Sequence, residues 1–286
     1  MQHKLIPLLV LFIAGHLCRT FSAAFRQELG KMADTVYQSL KGEVPQALAP
    51  NPGPVKRSGH FSTILEQVLD GLDAGDTSLQ PHVVHITEEF VTIHDGYPKA
   101  AVHLLVLPRR VRIAALEKLT HEHLPLLMRL SAYVAWLMEQ VEGKPGDPGV
   151  GWTHGLHSVP SLRQLHVHVL SMDFESPCMK KAKHFSSFLP PFLVSLDTVV
   201  ARMQEGGFSH RSLQELEDAM NKRRLCCHRC GVDFGRGFAE LKRHLSSCSA
   251  TPKTFWPMPR LWRDQRGCKR SIESESCDDG AVIDLT

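Results

Sequence analysis

The chain of 286 residues is 43% hydrophobic and 22% charged, a composition typical of soluble globular proteins with one sizeable core and a smaller second unit. Its eight cysteines are too few for a disulfide scaffold. Because the formal net charge is only +3, an anionic partner must be argued from local patches and not from the total.

Residues 1–59 predict a targeting-like segment followed by a linker. A largely apolar run at 5–18 follows Lys4, as in a signal peptide, and is too short to span a membrane comfortably. Two alternatives stay open: an organelle presequence, because residues 19–31 are basic, or an upstream extension of a chain that starts at Met32. No other stretch resembles a transmembrane helix, and we expect no membrane partner.

Hydrophobic periodicity and Pro/Gly punctuation predict the elements that follow. In chain order these are a linker at 42–59, a helix at 60–72, strands at 82–95 and 100–108, a helix at 111–142 bent at Pro125, and a strand at 162–171. A basic loop then leads into a helical connecting region at 192–221. The predicted fold class is α+β, with an antiparallel sheet, helices and a small appended unit.

The strand at 162–171 carries two histidines two positions apart. Side chains alternate along a strand, so Gln164, His166 and His168 should share one face. Three interpretations compete: histidines that merely tolerate water, a metal site that still needs a third ligand, and a nucleophile that attacks phosphorus.

Three segments around this strand resemble the histidine triad superfamily and, within it, the aprataxin family. They lie at 95–108, 155–161 and 166–188, and a short finger downstream completes a similarity that runs from Phe61 to Cys248. The resemblance implies a histidine triad catalytic domain at 60–221. It also implies removal of AMP from the 5′ end of DNA that an abortive ligation has left adenylated.

The resemblance implies specific roles for the strand residues. His166 matches the nucleophile on the adenylate phosphorus, and His168 matches a donor to a phosphate oxygen. Gln164 stands where the first triad histidine usually is, and its amide can still hydrogen-bond a partner. His157 is a further candidate in the same catalytic group, while the acid that protonates the leaving group stays unassigned.

Four residues are candidates for binding the nucleotide. Asp95 falls where the family binds the ribose hydroxyls, although an Asp before glycine is also a common turn residue. His103 matches a pocket histidine, and the alternative is a satisfied, half-buried side chain. Ser161 and Ser171 are candidates for phosphate contacts.

A basic loop directly follows the histidine strand. Within it, Lys180, Lys183 and His184 are candidates for contacts to the DNA end. The plainer alternative is a solvated charged face. Contacts of this kind would set position and affinity without reading sequence.

Residues 222–249 predict a C2HC zinc finger. Cys227 and Cys230 form a tight knuckle, and His244 and Cys248 lie one helical turn apart thirteen residues later. Cys226 is a nearby alternative ligand, and a disulfide pair is the alternative to metal. We expect a structural zinc ion.

The finger is also basic. Seven Lys and Arg residues stand against two acids between residues 222 and 244. We therefore expect its helix to contact the DNA backbone through Lys242 and Arg243.

The tail at 250–286 predicts disorder. Its end resembles a motif that binds a small ubiquitin-like modifier, with Val282–Leu285 as the apolar core beside a serine-rich acidic stretch. This motif favours a nuclear protein over a secreted one, with organelle targeting as the alternative.

The function predicted from the sequence is hydrolysis of 5′-adenylated DNA at nicks or breaks through a covalent AMP–histidine intermediate, by a monomer. Two alternatives stay open. One is a hydrolase of small nucleoside phosphoramidates or dinucleotides, with the finger as a protein-contact module. The other is a non-catalytic adaptor that binds DNA ends, in which Gln164 has abolished turnover.

Overall fold

A computed structural model describes residues 48–204 and 212–250, with scattered positions between 28 and 45. The predicted targeting run at 5–18 and the predicted modifier motif at 282–285 lie outside the described residues. The strands are β1 Val83–Ile86, β2 Phe90–His94, β3 His103–Pro108, β4 Trp152–His157, β5 Val167–Ser171 and β6 Leu193–Val194. The helices are α1 Ile64–Asp73, α2 Leu124–Val141, α3 Ala182–Ser186, α4 Leu196–Gln204, α5 Leu213–Lys222 and α6 Phe238–Ser247.

The strands form one six-stranded antiparallel sheet in the order β1-β2-β3-β5-β4-β6. Its centre is β5, which pairs with β3 through Leu105 opposite His168, and with β4 through Gly155 opposite His168. The predicted α+β class with an antiparallel sheet is confirmed.

Alternation along the strands divides the core between the two faces of the sheet. Leu104 and Val106 of β3 join Val167 and Val169 of β5 in the cluster packed against α2 and α4. The neighbouring β3 residues Leu105 and Leu107 pack on the opposite face, against α1. His168 of β5 pairs opposite Leu105 and therefore lies on this second face.

Three predicted elements differ from the structure. The span 82–95 is two strands, because a turn at residues 87–89 reverses the chain. The helix expected at 111–142 begins only at Leu124, after two short 3-10 turns, and Pro125 stands in its first turn, where its missing N–H is harmless. The strand β4 was not predicted, since its sequence alternates too weakly to stand out.

The predicted linker packs against the sheet domain in its described part. Asn51 donates its side-chain amide to the carbonyl of Asp95 at 2.7 Å. A Cβ at Gly96 would lie 2.6 Å from the Cα of Pro54, so only glycine allows this close approach. Within the described residues, no helix is both long and apolar enough to cross a membrane.

The finger shares a core with the sheet domain. Leu225 and Leu241 of the finger cluster with Phe174, Phe185 and Phe188 of the sheet domain. The sequence predicts a self-contained folding unit. In the structure, residues of the larger domain complete the apolar side of the finger.

Candidate active site

Three strands bring four histidines together at one end of the sheet. His103 opens β3, His157 closes β4, His166 directly precedes β5, and His168 is the second residue of β5. His103, His166 and His168 are buried, with 5% or less of each residue exposed. Residues far apart in sequence therefore form one cluster, here called the histidine cluster.

The backbone of Gln164, and not its side chain, orients His166. Gln164 adopts a φ of +77°, so the chain bends there and β5 begins only at Val167. The ring Nδ1 of His166 lies 2.8 Å from the Gln164 carbonyl oxygen. Since a carbonyl only accepts, Nδ1 carries the proton and Nε2 keeps a free lone pair.

The side chain of Gln164 turns away from the histidine cluster. Its amide nitrogen donates to the carbonyl of Val111 at 3.1 Å, and its oxygen accepts from the N–H of Ile113 at 3.3 Å. The expectation that Gln164 shares a face with His166 and His168 is therefore wrong. The Gln164 amide instead hydrogen-bonds to the backbone of the segment at 111–113, which precedes α2.

A second hydrogen-bond chain fixes the protonation of His168. The N–H of Lys99 donates to Nδ1 of His103 at 3.1 Å, so the neutral His103 ring carries its proton on Nε2. That Nε2 lies 2.9 Å from Nδ1 of His168, which must accept. The proton of His168 is therefore on Nε2, which is buried without a hydrogen-bond partner among the described residues.

His157 and Phe188 close the pocket around His168. The rings of His157 and His168 lie against each other at a tilt of 37° with centroids 4.1 Å apart, and Nε2 of His157 is also buried without a partner in the described part of the chain. Phe188 packs edge-on against His168 with centroids 5.2 Å apart, and it contacts His103 in the same way. Among the described residues, two neighbouring imidazole nitrogens beside Phe188 therefore lack a hydrogen-bond partner.

Burial keeps the cluster neutral. It lowers the pKa of His103 to about 4, although the nearby Asp95 carboxylate opposes the shift. Burial also lowers the pKa of His166, with the Gln164 carbonyl opposing. For His157 and His168, burial and then the neighbouring imidazoles hold the pKa well below its usual range. A neutral imidazole retains the lone pair that nucleophilic attack requires.

Asp95 lies at the rim of the cluster. One carboxylate oxygen accepts the N–H of Tyr97 at 2.7 Å, and the other lies 3.5 Å from Nε2 of His103. Asp95 thus forms the turn that the sequence allowed and also presents a carboxylate to the cluster. Lys99, from the same turn, is half-buried, and this burial lowers its pKa while Asp95 opposes the shift.

A metal site at the histidines would have the Asp95 carboxylate as its third ligand, but the distance between the imidazole nitrogens fits a hydrogen bond better. Donor atoms of Asp95, His103 and His168 lie within 4.8 Å of one another. The two imidazole nitrogens, however, are 2.9 Å apart. Two nitrogens on one tetrahedral zinc ion stand about 3.4 Å apart, so we assign the contact as a hydrogen bond.

The two serine candidates occupy different surroundings. Ser161 is exposed in the loop after β4. Ser171 is buried, and its hydroxyl donates to Asp173 while accepting the N–H of Val102 at 3.1 Å. The structure therefore does not bring the Ser171 hydroxyl into the histidine cluster.

The basic residues predicted to contact DNA also differ in their surroundings. Lys180 is exposed and its N–H donates to His184 Nδ1 at 3.2 Å, while Lys183 pairs with Glu217 of α5. In α6, Arg243 is exposed.

Lys242 has a different environment from Arg243. Its ammonium donates to the carbonyls of Ser176 and Met179 at 3.1 and 2.9 Å. The structure therefore places Lys242 at the boundary between the finger and the sheet domain and not free for DNA.

The four predicted zinc ligands converge. The Sγ atoms of Cys227 and Cys248 are 3.9 Å apart, and Cys230 Sγ lies 3.1 Å from His244 Nε2. All four donor atoms lie within 4.8 Å of one another. Two sulfurs on a tetrahedral zinc ion stand about 3.8 Å apart, close to the separation of Cys227 and Cys248. Three thiols and one imidazole are also a ligand set of structural zinc sites, so these residues suit zinc, and the thiols are free and not in a disulfide. Cys226 is outside the set, in a β-bridge with Asp233.

Sequence reasoning missed several residues at this end of the molecule. Phe188 and Lys99 lie inside segments read only as a loop and a turn, with no pattern to mark them. The rings of Phe61 and Tyr97, each about half exposed, form an edge contact with centroids 5.9 Å apart beside Asp95. Exposure of two neighbouring aromatic rings is visible only in the folded chain.

Two family models match the chain. One is described as "Scavenger mRNA decapping enzyme C-term binding" and matches residues 68–184. The other is described as "C2HE / C2H2 / C2HC zinc-binding finger" and matches residues 190–250, which indicates a zinc site in the finger.

Curated relatives carry the name aprataxin. Aprataxin of Gallus gallus is 32% identical over 202 residues, covering 70% of this chain and 59% of that protein. An aprataxin-like protein of Schizosaccharomyces pombe is 30% identical over 183 residues, covering 57% of this chain and 73% of that protein. The chain thus spans somewhat more than half the length of the Gallus gallus relative.

Solved structures of an aprataxin ortholog are also similar to this chain. A crystal structure of the aprataxin ortholog Hnt3 in complex with DNA is 26% identical with a TM-score of 0.52, covering 66% of this chain and 94% of that chain. A structure of Hnt3 with DNA and guanosine is 25% identical with a TM-score of 0.53, covering 66% and 95%.

Proposed function

The chain belongs to the aprataxin family, and from this premise we propose that it is a DNA-binding histidine triad hydrolase that removes AMP from 5′-adenylated DNA ends. The observation that carries the proposal is the hydrogen bond from His166 Nδ1 to the Gln164 carbonyl, which leaves Nε2 free to attack. The two Hnt3 structures, both in complex with DNA, support DNA as the partner.

The reaction proceeds in two displacements at phosphorus. Nε2 of His166 attacks the adenylate phosphorus, so that a phosphorus–nitrogen bond forms while the bond to the bridging oxygen breaks. The DNA leaves as a 5′-phosphate, which is already a stable anion and needs little protonation. Water then attacks the same phosphorus and loses a proton to solvent, the phosphorus–nitrogen bond breaks, and AMP is released with His166 restored to its neutral state.

The other buried imidazoles stabilise charge on the phosphate oxygens. The proton on Nε2 of His168 has no partner in the described residues, so it is free to donate to a non-bridging oxygen. His157 lies beside it and offers a second nitrogen. His103 holds His168 in this tautomer, and the Asp95 carboxylate at the rim accepts the ribose hydroxyls.

The surface beside the cluster suits a DNA end. Lys180, His184 and Arg243 provide cationic or polar contacts to phosphates. The exposed rings of Phe61 and Tyr97 offer a face on which a terminal base can stack. The zinc ion in the finger is structural: it would be held by Cys227, Cys230, His244 and Cys248 and would crosslink the knuckle to α6.

We also propose a monomer that acts in the nucleus, where adenylated ends arise during repair. The sequence motif at 282–285 supports recruitment by a small ubiquitin-like modifier. Titration of that modifier with a peptide spanning residues 271–286 tests this part, and the absence of binding would remove it.

The deciding experiment measures AMP release from two substrates under the same conditions. Purified protein is mixed with nicked duplex DNA that carries a 5′-adenylate, and separately with adenosine phosphoramidate. We expect a higher kcat/KM on the DNA. A preference for the small molecule would favour the phosphoramidate hydrolase, and DNA binding with no release from either substrate would favour the adaptor.

A further inference from the structure

Two residues between the paired zinc cysteines are buried at the boundary with the sheet domain. His228 and Arg229, here called the knuckle pair, stand between Cys227 and Cys230 and are 6% and 4% exposed. Arginine is almost never buried to this degree unless its guanidinium is paired. The hydrogen-bond partners of the knuckle pair therefore indicate its structural role.

Arg229 ties the finger helix to the end of β5. One terminal nitrogen donates to the carbonyl of Cys248 at 2.9 Å. The other donates to the carbonyl of Leu245 and lies 3.4 Å from the carbonyl of Asp173. One guanidinium thus contacts both the metal-binding end of α6 and the residues that follow β5.

His228 makes a parallel contact one residue earlier. Its Nε2 donates to the carbonyl of Met172 at 2.7 Å, and its ring packs edge-on against Phe174 with centroids 4.8 Å apart. Met172 and Asp173 directly follow the last residue of β5. The knuckle pair therefore holds both residues at the exit of the strand that carries His168.

Asp173 extends the contact to β3. Its carboxylate accepts the N–H of Ala101 at 2.8 Å, two residues before His103. The hydroxyl of Ser171 donates to the same carboxylate. The Asp173 carboxylate therefore links the residues before β3 to the end of β5, beside the ladder that pairs the two strands.

We propose that the knuckle pair positions the histidine cluster: the zinc-ordered knuckle holds Met172 and Asp173 and thereby keeps His103 at hydrogen-bond distance from His168. The catalytic consequence rests on the proposed function, and the geometric consequence does not. The finger then acts on catalysis through the fold as well as through DNA.

The first test replaces Arg229 by methionine, which keeps an unbranched apolar stem and removes the guanidinium donors. Adenosine phosphoramidate is the substrate, because it contains no DNA for the finger to contact. We expect Arg229→Met to lower kcat about tenfold with KM within about twofold, since small misplacements of catalytic groups lower rates steeply. Zinc content, measured by metal analysis, should stay at that of the wild type.

Arg236→Met is the matched control. Arg236 is an exposed arginine of the same finger that also donates to a backbone carbonyl, that of Asn221 at 2.9 Å, away from β5. Its variant should keep the wild-type kcat on adenosine phosphoramidate. An equal loss of kcat in both variants would overturn the proposal.

Imidazole NMR tests the geometry even if neither substrate is hydrolysed. In the wild type, ¹⁵N shifts should show His168 Nδ1 as a hydrogen-bond acceptor and Nε2 as protonated. Arg229→Met should weaken or average this pattern, while Arg236→Met retains it. Unchanged His168 shifts in a folded Arg229→Met protein would contradict the proposal.

A second pair of variants serves if Arg229→Met does not fold. In His228→Gln, the amide nitrogen stands close to where Nε2 lies and can still donate to Met172, whereas His228→Leu cannot. We expect the leucine variant to lose kcat and the His168 pattern, and the glutamine variant to retain most of both. Equal behaviour of the two would overturn the proposal.

Discussion

The two histidine-containing sites of this protein are held by different means. In the histidine cluster, backbone groups and a second imidazole fix the rings of His103, His166 and His168, and the reactive nitrogens keep a free lone pair or a free proton. In the finger, His244 and three thiols converge at the spacing of a tetrahedral metal site. The first arrangement leaves nitrogens available for chemistry, whereas the second uses its donors to hold the chain together.

The two sites also respond to different solution conditions. The lowered pKa values of its four imidazoles make the cluster sensitive to acid, because an unfolded histidine gains a proton that the native one excludes. The finger instead depends on zinc. The knuckle pair connects the two, so the sites are distinct in chemistry but adjacent in structure.

The largest effect should come from His166, the residue with the free Nε2. We expect His166→Ala to reduce AMP release by at least about a thousandfold, because a covalent route cannot proceed without its nucleophile. Affinity for nicked DNA, measured by fluorescence anisotropy, should stay within about twofold. His121→Ala, at an exposed histidine before α2, should behave as wild type, and substantial turnover by His166→Ala would remove the mechanism.

The next largest effect on kcat should come from His103, whose hydrogen bond sets the tautomer of His168. His103→Leu removes the donor to Nδ1 of His168 and should lower kcat at least about tenfold, since an oriented donor is lost. His103→Gln places an amide N–H near the former Nε2 and should retain more activity. If leucine and glutamine prove equivalent in kcat, the hydrogen bond between His103 and His168 does not orient the donor.

The pH dependence of stability sharpens the contrast between the two sites. The pKa of His103 is lowered to about 4 in the folded chain from 6.5, so stability is fullest above pH 6.5 and falls as the pH drops from there towards 4. Between pH 7 and pH 5 this group alone should lower the free energy of unfolding by about 2 kcal/mol. Urea unfolding of the wild type and of His103→Gln at both pH values measures it, and an equal fall in the two would contradict the assignment.

The smallest effects should separate two neighbouring cations of α6. Arg243→Met, at an exposed residue, should weaken DNA binding a few-fold and reduce the salt dependence by about one counterion. Lys242→Met should instead lower the free energy of unfolding by about 1–3 kcal/mol, because two carbonyls lose a charged donor. If Lys242→Met instead weakened DNA binding and Arg243→Met lowered the free energy of unfolding, then Lys242 and not Arg243 would contact the DNA.

The sequence predicted the finger more completely than the cluster. Its four ligands lie within 22 residues at a spacing that only a few structures use, so no long-range information was needed. The cluster draws on three strands, and its assembly depended on the register of β3, β4 and β5. The sequence identified His166 and His168 from alternation, yet alternation failed at Gln164, where a left-handed backbone turn cannot be read from a strand pattern.

The contact between the two units was not predictable from the sequence either. The ligand spacing predicts a self-contained finger, and the two knuckle residues give no sequence signal of a contact with the sheet domain. Only packing shows that His228 and Arg229 bond to carbonyls of the sheet domain. Ligand spacing is a local property, whereas the burial of a polar side chain depends on what the rest of the chain brings to it.

The most direct test of the account is the identity of the residue that carries AMP during turnover. Protein mixed with 5′-adenylated nicked DNA is quenched in alkali, in which phosphoramidates survive, and is then digested and mapped by mass spectrometry. The account predicts an AMP adduct on His166, absent in His166→Ala. An adduct on another residue, or rapid AMP release with no adduct at any time point, would contradict it.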